Sequence, residues 1–188
     1  MRLISHLIHS VLPVAALSLH AGELAGITAL RTLFYAATHP WLGLLACAHH
    51  LPSFCGAYYF KALGRQDKMT KRACIAAPLV CMALFMSTCV GAQAWFYSLY
   101  WLIPAGIAAA PRTQMPFLRA LASTLMTHAV GSVIFIWITP MTPLFWAGLL
   151  PVVAAERLMI AAGITVMYYA LGSARSYRGF VIPRIARA

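Results

Sequence analysis

Long apolar runs separated by gaps that are alternately cationic and neutral restrict this 188-residue chain more than any motif within it. The cationic gaps hold Arg2; Lys61, Arg65, Lys68, Lys71 and Arg72; Arg112 and Arg119; and Arg175, Arg178, Arg184 and Arg187. Cationic loops stay on the cytoplasmic side of a bilayer while neutral ones cross, so the alternation is a topology signal. Hydrophobic residues make up 62% of the chain and charged ones 9%, whereas a soluble domain carries roughly a quarter charged residues. The only acids are Glu23, Asp67 and Glu156. A net charge of +11 on a soluble fold would suggest nucleic acid, but here the cations sit in short loops and a tail. Membrane lipids with anionic headgroups are the partner they fit, and no nucleic acid is expected.

A hydrocarbon core of ~30 Å takes about 20 helical residues. That ruler predicts an all-α, polytopic membrane protein: one integral membrane domain over 1–188, a six-transmembrane-helix bundle with kinked helices and both termini cytoplasmic. The spans cover about 3–22, 40–62, 72–91, 93–110, 117–139 and 144–171, followed by a basic tail, 172–188. Tight hairpins are expected at 91–93 and 140–143, and a lid-like linker at 23–39. Trp41, Trp95, Trp137 and Trp146 fall at the predicted outer ends, where indoles favour the interface. Localisation in the cell inner (plasma) membrane, multi-pass, follows. Two alternatives stay open. The first span is either retained or a signal peptide ending near Leu19-His20-Ala21. Span six is either continuous or a re-entrant segment, 144–155, followed by a short span, 158–172, because Glu156-Arg157 falls at its midpoint, where each charge costs roughly 2.5–3.5 kcal/mol. Pro13, Pro52, Pro78, Pro104 and Pro151 predict kinks whose freed carbonyls need partners inside the bundle. The five cysteines lie in apolar runs and read as small packing residues rather than as a disulfide framework.

Ionisable groups recur at one depth. His49 and His50 lie near the middle of span two, His128 near that of span five, and Glu156-Arg157 near that of span six. Such groups usually face a bundle interior or a wet cavity. Thr124, His128 and Ser132 repeat every four residues, which makes one polar stripe. Interhelical hydrogen bonding, a ligand cavity and metal coordination are the three readings of the histidines. Glu156 and Arg157 are sequence neighbours, so each is expected to need a partner on another span, or water. Tyr97, Tyr100 and Trp101 share a face with Pro104 and suit stacking on a flat ligand; an interfacial belt is the plainer reading of Trp95 and Phe96. The soft stripe Met82, Met86 and Cys89 reads as packing ahead of Cu(I) ligation. No metal site or cofactor is implied: the chain lacks a His-Glu-x-x-His pattern, a phosphate-binding glycine loop and a Gly-x-Ser-x-Gly elbow.

Six short, proline-kinked spans, small-residue pairs such as Ala21/Ala25 near span one, the linker 23–39 and the aromatics Trp95 to Trp101 together resemble the substrate-binding S components of energy-coupling-factor vitamin transporters. The resemblance covers the whole chain in size, span count and orientation, although the small-residue pair falls at the end of the first helix rather than inside it. It implies capture of a small-molecule, vitamin-like ligand in an outward-facing cavity, with His49, His50, His128, Tyr97, Tyr100, Trp101, Glu156 and Arg157 as binding residues. It also implies a membrane scaffold and ATPase subunits as partners, and a transport or binding protein ahead of an enzyme. The rivals are a membrane-embedded enzyme using histidine acid–base chemistry on a lipid or isoprenoid, and a structural membrane subunit.

Overall fold

The computed structural model describes residues 43–185 apart from Gln66, 112–114 and Pro140, together with Gly26, Ala29, Leu30, Leu33 and Ala37; side chains are described within 50–170. The first predicted span lies outside the described residues. So does most of the 23–39 linker, whose described members are helical and exposed. Among the described residues the chain is all-α. The helices are α1 (Gly43–Ala62), α2 (Lys68–Met86), α3 (Cys89–Gln93), α4 (Trp95–Ser98), a 3-10 turn (Leu99–Trp101), α5 (Leu102–Ala109), α6 (Pro116–Ile138) and α7 (Pro143–Ile185).

Three of these are long and apolar enough to cross a membrane: α2, α6 and the Pro143–Ala170 part of α7. Only 22% of the apolar window is buried in α2 and in α7, against 39% in α6, so α6 is the central helix. The outward faces of the other two carry Leu79, Val80, Leu84, Leu144, Val152, Met159 and Val166, where a water-soluble helix would be polar.

Local chemistry moves several predicted boundaries. Asp67 caps α2 by accepting from the Thr70 backbone N–H at 2.8 Å, so this helix starts at Lys68 rather than 72. Its end moves too. The turn lies at Ser87-Thr88 instead of 91–93, because the Thr88 hydroxyl accepts from the Gly91 N–H while donating to the Phe85 carbonyl, each at 3.0 Å. Gly91 is required in this corner, since a Cβ there would overlap the Phe85 carbonyl. The same turn separates Cys89, which is exposed, from Met82 and Met86, which pack on the core, so the three do not form one stripe.

Span four, 93–110, is not one helix but three pieces, α4, the 3-10 turn and α5, while α3 fills the stretch where the 91–93 hairpin was expected. Span six is continuous through Glu156-Arg157, which removes the re-entrant alternative, and α7 extends into the basic segment as far as Ile185. No glycine lies between Gly148 and Gly163 to break it. Pro151, near its start, is tolerated.

Helices α1 and α6 pack antiparallel at close range. The Ser123 hydroxyl donates to the Gly56 carbonyl at 2.7 Å, and Arg119 Nη2 donates to the Phe60 carbonyl at 2.8 Å. Gly56 permits the approach, because a Cβ there would overlap Thr127 Oγ1 and come within 3.0 Å of the Ser123 carbonyl. Arg119, expected beside a cytoplasmic loop, is instead buried, with its guanidinium 4.6 Å from the centroid of the Phe60 ring. Helix α7 packs Ile160, Ala161 and Ile164 against Ala120 of α6 in a cluster that also takes in Phe60 of α1. Trp95 and Trp137 are exposed as interfacial indoles should be, at 54% and 64%. Trp146 departs from that expectation: it is 2% exposed and lies in the main core, its ring edge-on to Phe85. Cys55, Cys74, Cys81 and Cys89 are free thiols.

Candidate functional site

The site grows from the polar face of α6. Thr124, His128 and Ser132 follow at one-turn intervals, with Thr124 and Ser132 buried. The Tyr97 hydroxyl, carried by α4, stands 2.5 Å from His128 Nε2, and the Ser132 hydroxyl is 3.4 Å from the same nitrogen. When Nε2 is the unprotonated nitrogen, Tyr97 donates to it. Tyr97 sits on the short helix α4, between the interruptions at Ala94 and Leu99–Trp101.

An aromatic shell surrounds this pair. Phe85 sits at its centre, with ring centroids 5.8 Å from Tyr97, 5.2 Å from Trp101 and 5.1 Å from Trp146. Tyr97 and Trp146 approach to 4.8 Å. Most of these contacts are edge-to-face, the arrangement that ring quadrupoles favour. Both indole N–H groups, Trp101 Nε1 and Trp146 Nε1, are buried with no hydrogen-bond acceptor among the described residues. A buried donor left unsatisfied costs about 1–3 kcal/mol, so two in one cluster call for an explanation.

Glu156 and Arg157 correct an expectation. They pair with each other, Arg157 Nη2 to Glu156 Oε2 at 2.7 Å, although they are consecutive on α7. Their Cα–Cβ vectors diverge by ~100°, yet the long arginine side chain folds back across the gap. Arg157 is the more buried partner, at 14% exposure against 36%. Its Nε has no acceptor among the described residues. The backbone carbonyl of Arg157 is 3.5 Å from the Thr124 hydroxyl, which places this pair one turn along α6 from His128.

The remaining predicted residues spread around this centre. Trp101 is in the shell. Tyr100 is half-buried, and its hydroxyl donates to the Leu150 carbonyl at 3.4 Å. His50 is buried on α1. The register fixed by Gly56–Ser123 and Phe60–Arg119 sets it within about one turn of His128 in depth. The side chain of His49 lies outside the described residues. Phe85 and Trp146 were not among the expected binding residues. Phe85 carries no polar signal, and Trp146 sits where an interfacial belt would put one. Compared with family models, curated proteins and solved structures, the chain matches none.

Proposed function

We propose that the chain is a multi-pass protein of the cell inner (plasma) membrane, with six spans and both termini cytoplasmic, that binds a small vitamin-like solute in an outward-facing chamber for uptake. In this reading Tyr97, His128, Trp101 and Trp146 form the polar and aromatic wall, with Tyr100, His50, Glu156 and Arg157 nearby. The observation that carries it is the pair of buried indole N–H groups lacking acceptors beside the Tyr97–His128 hydrogen bond. Mostly apolar surroundings with a few convergent polar groups are the usual make-up of a small-molecule site. Two indole donors among flat rings suit an aromatic or conjugated solute that bears carbonyl or carboxylate oxygens. Delivery to the cytoplasm would require a membrane scaffold and ATPase subunits, as in the S-component systems that the chain resembles.

The test is a thermal-shift screen of detergent-purified protein against a panel of water-soluble vitamins. One member should raise the melting temperature, since a ligand at 100 times its Kd contributes about 2.7 kcal/mol. That shift should disappear in His128→Ala and shrink in Tyr97→Phe. If no member shifts the wild type, and both substitutions simply unfold the protein or detach it from a complex, the cluster is structural glue and the binding reading fails.

A further inference from the structure

A second site lies away from the aromatic core, where α1, α2 and α5 meet at their cationic ends. A cavity of about 260 Å³ opens there, lined by Ala62, Leu63, Arg65, Lys71, Cys74 and Ala108, with Ala110 and Pro111 at its rim. It has a firm floor. One turn deeper, the Tyr59 hydroxyl lies 2.7 Å from the Cys74 carbonyl and 3.1 Å from the Pro104 carbonyl, which ties the three helices together. The lining is mixed in chemistry. Arg65 and Lys71 supply two cations, and the alanines, Leu63 and Pro111 supply apolar surface. Asp67 accepts from the Thr70 N–H as the cap of α2, and Arg65 beside it also helps to hold its carboxyl low. Lys61, Lys68 and Arg72 add to the positive potential around the mouth.

We propose that this cavity binds the phosphate headgroup of an anionic lipid of the inner leaflet, with phosphatidylglycerol as the model ligand. The inference rests on the topology of the preceding reading, which puts this end at the cytoplasmic surface, and is independent of the solute in the core. A soluble phosphate ester shares the anionic chemistry but would leave the apolar surface facing water. A lipid satisfies both kinds of lining at once, its phosphate on Arg65 and Lys71 and its glycerol and upper acyl carbons against Leu63, Ala108 and Pro111.

The experiment is native mass spectrometry of the full chain from detergent, titrated with phosphatidylglycerol, phosphatidylcholine or inorganic phosphate. Wild type should retain phosphatidylglycerol in preference to phosphatidylcholine, and millimolar inorganic phosphate should not displace it. Arg65→Gln with Lys71→Gln should weaken retention roughly 30-fold, from about fivefold for each cation near a membrane surface. Lys68→Gln with Arg72→Gln removes the same charge from residues that do not line the cavity and should weaken retention clearly less than the Arg65/Lys71 pair does. Ala110→Leu narrows the cavity while keeping every charge and should also reduce retention, which covers the case of a misfolded double variant. Tyr97→Phe, which should shrink the thermal shift of the core solute, lies away from this cavity and should not alter phosphatidylglycerol retention, so failure of the solute reading and failure of this one are separable. Equal retention of the two lipids, equal loss in both double variants, or displacement by inorganic phosphate would overturn the proposal.

Discussion

Gly56 is the residue on which the closest helix contact turns. Its missing side chain lets α1 reach α6 so that Ser123 can donate to its carbonyl. Gly56→Ala should destabilise the protein by about 1–3 kcal/mol, the usual cost of overpacking, as measured by thermal unfolding in detergent. Thr127→Ala in the same chain should recover part of the loss by removing the hydroxyl that the new Cβ would meet. Asp67 carries the pH dependence available outside the helices' apolar lengths. The Thr70 N–H donating to its carboxylate holds that group below the usual carboxylate range. A depressed native pKa means the contribution is present above the unfolded pKa and is lost as pH falls through the native one. The stability gap between wild type and Asp67→Ala should therefore be open at pH 7 and close in acid; a gap unchanged with pH would show that the charge is not what caps α2. The polar stripe Thr124, His128, Ser132 was legible at this scale because a four-residue period on a helix fixes a face whatever surrounds it. Phe85 and Trp146 were not, since hydropathy cannot tell an aromatic facing lipid from one facing a neighbouring helix.

At the scale of elements, caps and breaks decide where the segments fall. Hydropathy located the apolar runs seen as α1, α2, α6 and α7 and came within a residue of both ends of α6, but it misplaced both ends of α2, because polar side chains hydrogen-bonded to backbone set them. Thr88 shows the point. It closes the corner between α2 and α3 with two hydrogen bonds, and Thr88→Ala should cost about 1 kcal/mol, read from the midpoint of thermal unfolding. A loss near zero would mean that Gly91 and Ser87 hold the corner unaided. Glu156 and Arg157 made span six ambiguous, because two charges at mid-helix predict either a break or a partner. Their pairing on consecutive residues removes the need for a break, and α7 runs through. Span four went the other way. Its hydropathy did not locate the interruptions at Ala94 and Leu99–Trp101.

For the molecule as a whole, the outward faces of α2 and α7 and the central position of α6 agree with a bundle whose surroundings are apolar. Composition and charge spacing had already pointed there, because burial against lipid alters the balance of every segment at once. A particular solute is another matter. It is selected by a few donors at fixed separations, and those depend on which helices touch. The most direct measurement is native mass spectrometry of the protein released from the membrane in which it was made. The wild type should carry a discrete small-molecule mass at about one equivalent, and Trp101→Phe with Trp146→Phe, which keeps an aromatic ring at each position and removes both N–H donors, should release it. Bare wild-type protein, or a bound mass retained unchanged by the double variant, would contradict the claim that these indoles serve a ligand.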